Sequence, residues 1–206
     1  MGGGAVRRGG PGRRPAGQLV VGVALRVLFG AMLWLLAKVW ALYRQVRRLA
    51  GTDSLTGVPN RRAWDEELPR ELARSGQPVC VAPLDLDHFE QYNDRHGHQA
   101  GDRFLKEAAA AWQSVVRRTD LVARYGGEEF AILLPDCRLD NALEIAERLR
   151  TAQPEGTCSL GIAQWDGRED VTALVARADR ALYAAKEAGR DRIHADTTTA
   201  VETAAP

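Results

Sequence analysis

The chain has 206 residues, of which 45% are hydrophobic and 27% are charged, and its formal net charge is +1. This composition is typical of a folded globular protein and excludes a wholly disordered chain. The small net charge provides no global field toward nucleic acid, so no nucleic-acid partner is expected. Cys80, Cys137 and Cys158 are scattered in mostly apolar runs. This pattern predicts buried thiols in a reducing compartment rather than a disulfide framework or a zinc site.

The first 50 residues differ in composition from the rest of the chain. Residues 1–18 are rich in Gly, Arg and Pro and are predicted to form a disordered tail. The apolar run from Leu19 to Ala37, interrupted by Arg26, opens a predicted helix over residues 19–50. Its length favours a membrane span with Arg26 near the interface, and a dimerisation helix is the second interpretation. A secretory signal is disfavoured because no small-residue cleavage site follows.

From residue 51 to residue 194 the patterns predict one domain of ordinary size, followed by a flexible tail over residues 195–206. Turn formers precede Asn60, which is placed to cap a helix from Arg61 to about Arg74. The later predicted elements are strand Val79–Leu84, helix Gly101–Arg118, strands Leu121–Tyr125 and Phe130–Leu134, helix Arg138–Arg150, strand Thr157–Ala163, helix Val171–Ala188 and an edge strand Arg192–His194. This order predicts an α+β fold with a split βαβ, ferredoxin-like antiparallel sheet flanked by helices.

Acidic residues stand at the ends of two predicted strands. In Asp85-Leu86-Asp87 the two carboxylates are predicted to share one face of the sheet, with Leu86 on the other. Gly126-Gly127 predicts a hairpin, because a primed turn needs a positive φ that glycine adopts without strain. Glu128 and Glu129 follow directly. The predicted topology brings the end of the first strand beside the hairpin tip, so Asp85 and Glu128 are expected to meet.

These residues belong to an ordered series of motifs that resembles the GGDEF-domain diguanylate cyclases, from about Asp53 to Arg192. Several motifs in the right order are far more specific than the hairpin alone. They are Asp53-x-Leu55-Thr56-Gly57, Asp85-Leu86-Asp87-His88-Phe89, Asn93-Asp94, Gly97-His98, Gly101-Asp102, Arg124-Tyr125-Gly126-Gly127-Glu128-Glu129-Phe130, Ser159-Leu160-Gly161-Ile162 and Ala178-Asp179-Arg180-Ala181-Leu182-Tyr183-Ala184-Ala185-Lys186.

The resemblance implies a nucleotidyltransferase that condenses two GTP into cyclic di-GMP and releases pyrophosphate. It implies a fold related to polymerase palms and class III nucleotide cyclases. It also implies a homodimer in which each subunit holds one GTP at its hairpin. The 3′-hydroxyl of each nucleotide then attacks the α-phosphate of the other.

The resemblance further implies a cofactor, Mg²⁺ or Mn²⁺. Asp85, Glu128 and the backbone carbonyl of Leu86 match the metal ligands of the family. Hard oxygen ligands of this kind suit Mg²⁺, which is usually held by one or two carboxylates together with substrate phosphates. Glu129 matches the residue that helps to deprotonate the attacking 3′-hydroxyl.

Other positions match residues of the family that bind GTP. Asn93 and Asp102 match the guanine-recognising pair, whose amide and carboxylate suit the guanine edge. Lys186 and Arg190, one helical turn apart, are expected to reach the β- and γ-phosphates from one helix face. The substrate-binding set is completed by Phe89 and by the two glycines that make room for GTP, Gly126 and Gly127.

A second nucleotide site is implied upstream of the hairpin. Arg117 and Asp120 match an RxxD inhibitory site where cyclic di-GMP binds, and Arg148 resembles its secondary arginine. Arginine stacks on guanine and forks onto its O6/N7 edge or onto phosphate, which suits a dinucleotide product. The product is therefore expected to act as an inhibitor.

Two residues depart from the pattern. Glu90 stands where the family usually has a lysine. Its carboxylate is expected to weaken phosphate binding unless Lys186 and Arg190 are sufficient to hold the phosphates. Pro83 interrupts a strand that is predicted to be central.

The alternative function is a weak or inactive receptor for GTP or cyclic di-GMP that signals through its N-terminal helix. A membrane-anchored scaffold is a third interpretation. The expected location is the inner membrane with a cytoplasmic catalytic domain, with the cytoplasm as the alternative.

Overall fold

The computed structural model describes residues 25–26, 28–40, 51–74 and 76–197. The chain divides into two compact units, Met1–Arg48 and Leu49–Pro206. In the first unit the described residues are helical, and their side chains are exposed. The predicted tail over residues 1–18 and most of the tail after residue 194 lie outside the described residues.

The predicted membrane span, Leu19 to Ala37, lies only partly within the described residues, which begin at residue 25. Within the described parts of the chain, no helix has the length and apolar character needed to cross a membrane. The described helical residues nevertheless carry large apolar side chains that are at least half exposed, among them Phe29, Trp34 and Trp40.

The second unit contains five helices and five strands among its described residues. In chain order they are α1 (Arg61–Arg74), β1 (Val79–Leu86), α2 (Phe89–His96), α3 (His98–Val115), β2 (Leu121–Gly126), β3 (Glu129–Pro135), α4 (Leu139–Ala152), β4 (Cys158–Gln164), α5 (Val171–Glu187) and β5 (Ile193–Asp196). Asn60 begins α1 as predicted, because its side-chain oxygen accepts a hydrogen bond of 3.1 Å from the N–H of Ala63.

The strands form one sheet in the order β2-β3-β1-β4-β5, so β1 is central. The strands β2, β3, β1 and β4 pair antiparallel, whereas β5 lies parallel to β4. The prediction of an antiparallel sheet was therefore wrong at its edge, and the α+β sheet is mixed. The reason is that α5 carries the chain back across the sheet between β4 and β5, so β5 enters in the same direction as β4.

The sheet has an apolar face on each side. Helices α3 and α4 cover one face, where Trp112 packs edge-on against Phe130 with ring centroids 4.8 Å apart. Helices α1 and α5 cover the other face. A Cβ on Gly161 would lie 2.1 Å from the backbone nitrogen of Leu182 in α5. Only glycine permits this close approach of strand and helix.

Helix α2 differs from the predictions, whereas Pro83 lies where they placed it. Helix α2 lies between the predicted strand Val79–Leu84 and the predicted helix Gly101–Arg118, where the sequence indicated no element, and its eight residues include one that is buried, Phe89. So short a helix shows too little periodicity to be recognised. Pro83 does lie in the central strand. It pairs with Ala131 of β3, but the pairing with β4 is interrupted at Ala82 and Pro83, where proline has no N–H to donate.

Candidate active site

The candidate site lies where β1 ends beside the hairpin formed by β2 and β3. Asp85, near the end of β1, is the cross-strand partner of Glu129 at the start of β3. The N–H of Leu86 donates a 3.4 Å hydrogen bond to the carbonyl of Glu128. From α5, the Lys186 Nζ atom lies 2.8 Å from Asp85 Oδ2. The predicted meeting of the first strand with the hairpin tip is present, and a cation from α5 joins it.

Like charges converge on Asp85, whose side chain is buried. Burial raises the pKa of this carboxyl above its ordinary value, and the neighbouring Glu128 and Glu129 add to the rise, while the ammonium of Lys186 opposes it. A buried acid beside two other acids is costly unless cations neutralise it. Lys186 is one such cation. Because a single lysine does not balance three acids, the space beside Asp85 also suits a second positive charge.

The oxygen donors at this position fit a hard divalent cation. Asp85 and Glu128 each offer a carboxylate, and Leu86, whose N–H donates to the carbonyl of Glu128, carries a backbone carbonyl next to Asp85 in the chain. In the described part of the chain, no group of three or more His, Cys, Asp or Glu side chains is arranged to hold a metal ion. Two carboxylates are nevertheless the usual protein share for Mg²⁺, because substrate phosphates supply further oxygens. The residues therefore fit Mg²⁺ delivered together with a nucleotide better than a metal held by protein alone.

The turn of the hairpin is open above its glycines. Gly127 has a φ of +51°, whereas Gly126 is the last residue of β2. A Cβ at either position would meet nothing within 4 Å. The predicted positive φ therefore falls on one glycine, and the space above both is free for a ligand.

Arg124 braces the hairpin against the segment that precedes α1. Its Nε donates to the carbonyl of Gly127 at 2.9 Å, and its Nη1 lies 3.0 Å from Asp53 Oδ1. The same Asp53 oxygen accepts from both the N–H and the hydroxyl of Thr56. Although burial alone raises the pKa of Asp53, the Thr56 and Arg124 hydrogen bonds outweigh it and lower that pKa below its ordinary value.

The predicted guanine-binding residues lie on α2 and α3. The Asn93 Oδ1 atom is buried and has no hydrogen-bond partner. A Cβ on Gly101 would lie 1.8 Å from that oxygen, so only glycine leaves room for the Asn93 side chain there. Asp102 is exposed, and Phe89 is buried in the core with its ring 6.0 Å from that of Phe104. An unpaired buried amide oxygen is costly unless a ligand satisfies it.

The predicted phosphate-binding residues do not share a helix face. Lys186 lies in the last turn of α5, but α5 ends at Glu187, and Arg190 follows Gly189 in a left-handed conformation with a φ of 62°. The prediction that Lys186 and Arg190 are one helical turn apart was therefore wrong. Gly189, with a φ of 111°, ends the helix before Arg190 is reached. Arg190 is exposed on the connection to β5.

A cleft of about 290 Å³ lies on the sheet face between α1, α5 and the hairpin. Among the predicted site residues, all of which the structure describes, Glu129 and Lys186 line it. Its other walls include Trp64, Tyr125 and Tyr183. The guanine-binding candidates lie elsewhere, so this cleft adjoins the candidate site without containing it.

The three residues predicted for the inhibitory site lie around the end of α3. The Asp120 carboxylate accepts a 2.8 Å hydrogen bond from the N–H of Arg117 and thereby closes the turn between them. Arg148, in α4, donates to the carbonyl of Val115 at 3.0 Å. The Arg117 side chain is exposed. The two arginines thus approach one end of α3 from different elements.

The sequence predictions assigned no role to Arg124, Asp53 or Asp87. All three lie inside the motifs quoted above, but the 3.0 Å contact between Arg124 and Asp53 spans 71 positions, so no local spacing indicates it. Asp87 was predicted to share a face with Asp85. Its carboxylate accepts hydrogen bonds from Thr157, Ser159 and the backbone of Asp191.

Comparisons with known proteins identify relatives of this chain. The chain is 45% identical over 161 residues to diguanylate cyclase DgcP of Pseudomonas aeruginosa, which covers 71% of this chain and 24% of that protein. It is 40% identical over 162 residues to the response regulator PleD of Caulobacter vibrioides, which covers 70% of this chain and 36% of PleD. The chain therefore spans only part of the length of these relatives.

A solved structure extends the comparison to the fold. The coiled coil and GGDEF domain of DgcB from Caulobacter crescentus, in complex with c-di-GMP, has a TM-score of 0.72 and 33% identity to this chain. The match covers 84% of this chain and 100% of that one. A family model described as diguanylate cyclase, GGDEF domain, matches residues 50–192. The chain belongs to the GGDEF-domain diguanylate cyclase family.

Proposed function

We propose that this protein is a diguanylate cyclase that condenses two GTP into cyclic di-GMP and releases two pyrophosphates. The observation that carries the proposal is the convergence of Asp85, Leu86 and Glu128 at the end of the central strand, with Lys186 at 2.8 Å. Family membership supports the same reaction. Together they indicate an enzyme of the nucleotidyltransferase class.

Each group has a role in this proposal. Asp85, Glu128 and the Leu86 carbonyl would hold Mg²⁺ or Mn²⁺, which supplies charge stabilisation to the phosphate oxygens. Glu129, exposed at the start of β3, accepts the proton of the attacking 3′-hydroxyl. The bond from that oxygen to the α-phosphorus forms as the bond to the pyrophosphate oxygen breaks. Lys186 and Arg190 neutralise the β- and γ-phosphates.

Guanine recognition is assigned to Asn93 and Asp102. The unpaired Oδ1 of Asn93 is an acceptor that the guanine N–H groups can satisfy, and Asp102 is exposed and free to accept as well. Gly126 and Gly127 leave open space for the nucleotide. Phe89, which packs inside the core, supports the position of α2 rather than contacting solvent.

The reaction requires a second subunit. One domain binds one GTP and offers one hairpin, so two domains must face each other before each 3′-hydroxyl reaches the partner's α-phosphate. We assign pairing to the N-terminal helix, whose described residues expose large apolar side chains. The same surface suits association with a membrane, and carbonate extraction of cell membranes would test this.

Product inhibition is assigned to Arg117, Asp120 and Arg148. The exposed Arg117 guanidinium is free to bind guanine or phosphate, while Asp120 holds the turn that presents it. Arg148 lies near the same end of α3. We expect Arg117→Ala to raise the inhibition constant for cyclic di-GMP by about tenfold, the loss of one charge-assisted contact. An unchanged constant would remove the assignment.

A second candidate function is a receptor that binds GTP or cyclic di-GMP without turning it over. Glu90 favours it, because the family usually has a lysine at this position and a carboxylate in its place would oppose GTP binding. Two measurements on the purified full chain separate the functions. Mass spectrometry after incubation with GTP and Mg²⁺ detects cyclic di-GMP if the protein is a cyclase. Calorimetric binding of either nucleotide without product would instead indicate a receptor, and no binding would indicate a scaffold.

A further inference from the structure

Asp87 is a buried acid that the proposed reaction does not use. It is 8% exposed and lies one residue beyond β1. Its Oδ2 accepts from the hydroxyl of Thr157 at 2.9 Å and from the backbone N–H of Asp191 at 3.0 Å. Its Oδ1 accepts from the hydroxyl of Ser159 at 2.8 Å. Both oxygens are therefore engaged by protein donors, which indicates an anchor rather than a ligand.

The segment that Asp87 anchors has an unusual backbone. Arg190 and Asp191 have φ values of 62° and 44°, so two successive non-glycine residues occupy the left-handed region. Such residues are disfavoured by contact between Cβ and the backbone, and they persist only where surrounding contacts hold them. One contact is the hydrogen bond that the N–H of Asp191 donates to the Asp87 carboxylate. The second is the ion pair at 2.6 Å between Asp191 and Arg150.

The anchored segment joins the two halves of the candidate nucleotide site. Asp87 directly follows the proposed metal ligands Asp85 and Leu86, and its own N–H donates to the carbonyl of Thr157. Asp191 directly follows Arg190, a proposed phosphate ligand. A single carboxylate thus ties the segment that carries the proposed metal ligands to the segment that presents Arg190.

We propose that Asp87 is a positioning residue that fixes Arg190 relative to the metal-binding end of β1. The inference rests on the proposed function, because it takes GTP as the ligand of Arg190. Without the Asp87 carboxylate, the Asp191 N–H loses its acceptor and the left-handed pair is free to relax. Arg190 then no longer meets the β- and γ-phosphates, whereas Asp85 and Glu128 keep their places.

Steady-state kinetics of three variants tests this role. We expect Asp87→Ala to raise the KM for GTP by about tenfold with kcat changed by less than about threefold, as for loss of binding without loss of chemistry. Asp87→Asn should stay close to wild type, because its amide oxygen accepts from Thr157 and Asp191 and its amide nitrogen donates to Ser159. Thr157→Val is the matched control, since it removes one bond to Asp87 but leaves the bond to Asp191.

A double-mutant cycle asks whether Asp87 acts through Arg190. In an Arg190→Ala background, Asp87→Ala should raise KM no further, because the contact is already lost. Additive effects, or an Asp87→Asn variant as impaired as Asp87→Ala, would overturn the proposal. So would a kcat loss as large as the KM change, which would indicate general damage to the site.

Hydrogen exchange tests the anchor independently of catalysis. In nucleotide-free protein, Asp87→Ala should accelerate deuterium uptake in residues 188–192, while Asp87→Asn should not. Unchanged uptake in Asp87→Ala would refute the anchor whether or not the protein is a cyclase. Accelerated uptake in a protein that makes no cyclic di-GMP would confirm the anchor and refute the proposed function.

Discussion

At the scale of single residues, the site is organised by the charge on Asp85. This carboxyl is buried beside Glu128 and Glu129, and its only cationic contact in the described residues at short range is Lys186, at 2.8 Å. The sequence predicted the acids because they sit in contiguous motifs. It did not predict the pairing with Lys186, which depends on where α5 crosses the sheet.

Replacing Lys186 should weaken GTP binding more than replacing an exposed lysine does. Lys186→Met leaves the buried Asp85 carboxyl without its cation and removes one proposed phosphate contact, so we expect KM for GTP to rise about tenfold or more. Lys106→Met is the matched control, because Lys106 is exposed on α3. Equal KM values for the two variants would contradict the assignment.

The contact between Gly101 and Asn93 offers a test of guanine recognition. Gly101→Ala places a Cβ 1.8 Å from the present position of Asn93 Oδ1, so the amide must turn away. We expect a higher KM for GTP in Gly101→Ala, by about tenfold, as for the loss of one good hydrogen bond to a base. Adding Gly101→Ala to Asn93→Ala should change little, and a full additional loss would show that the glycine acts elsewhere.

At the scale of elements, the hairpin depends on a brace that is distant in sequence. Arg124 links the Gly127 carbonyl to Asp53, and Asp53 holds the turn before α1 through Thr56. The hairpin itself was predictable from Gly126-Gly127 between two apolar runs. The brace was not, and neither was α2, because periodicity reports on one segment at a time.

Stability should depend on pH through this brace. The pKa of folded Asp53 lies below its ordinary value, so its stabilising effect is present above the unfolded pKa and disappears as pH falls through the folded pKa. We expect Asp53→Asn to lower the free energy of unfolding at pH 7 by about 1–2 kcal/mol. The difference from wild type should shrink below about pH 4. Urea denaturation at several pH values measures it, and a difference that is constant with pH would contradict the brace.

At the scale of the whole molecule, the sheet explains why the parts of the site meet. Central β1 brings Asp85 between the hairpin on one side and β4 on the other, with α5 above. The sequence predicted the α+β class and most elements. It did not predict that β5 runs parallel to β4, because its four residues carry no sign of their direction.

The proposed dimeric site predicts how inactive subunits affect active ones. If each product molecule needs two GTP-loaded subunits, mixing wild type with an equal amount of Glu128→Gln under subunit exchange should leave about a quarter of the dimers fully wild type. Activity per total protein should then fall to about a quarter rather than a half. Loss of only a half would indicate that each subunit works alone.

The central claim is that this site cyclises GTP, and product stoichiometry tests it most directly. Purified protein incubated with GTP and Mg²⁺ should yield two pyrophosphates for each cyclic di-GMP measured by mass spectrometry. The Glu128→Gln variant, which keeps the backbone of the hairpin but lacks one carboxylate, should yield neither above background. Pyrophosphate or phosphate released without cyclic di-GMP, or full activity in Glu128→Gln, would contradict the account.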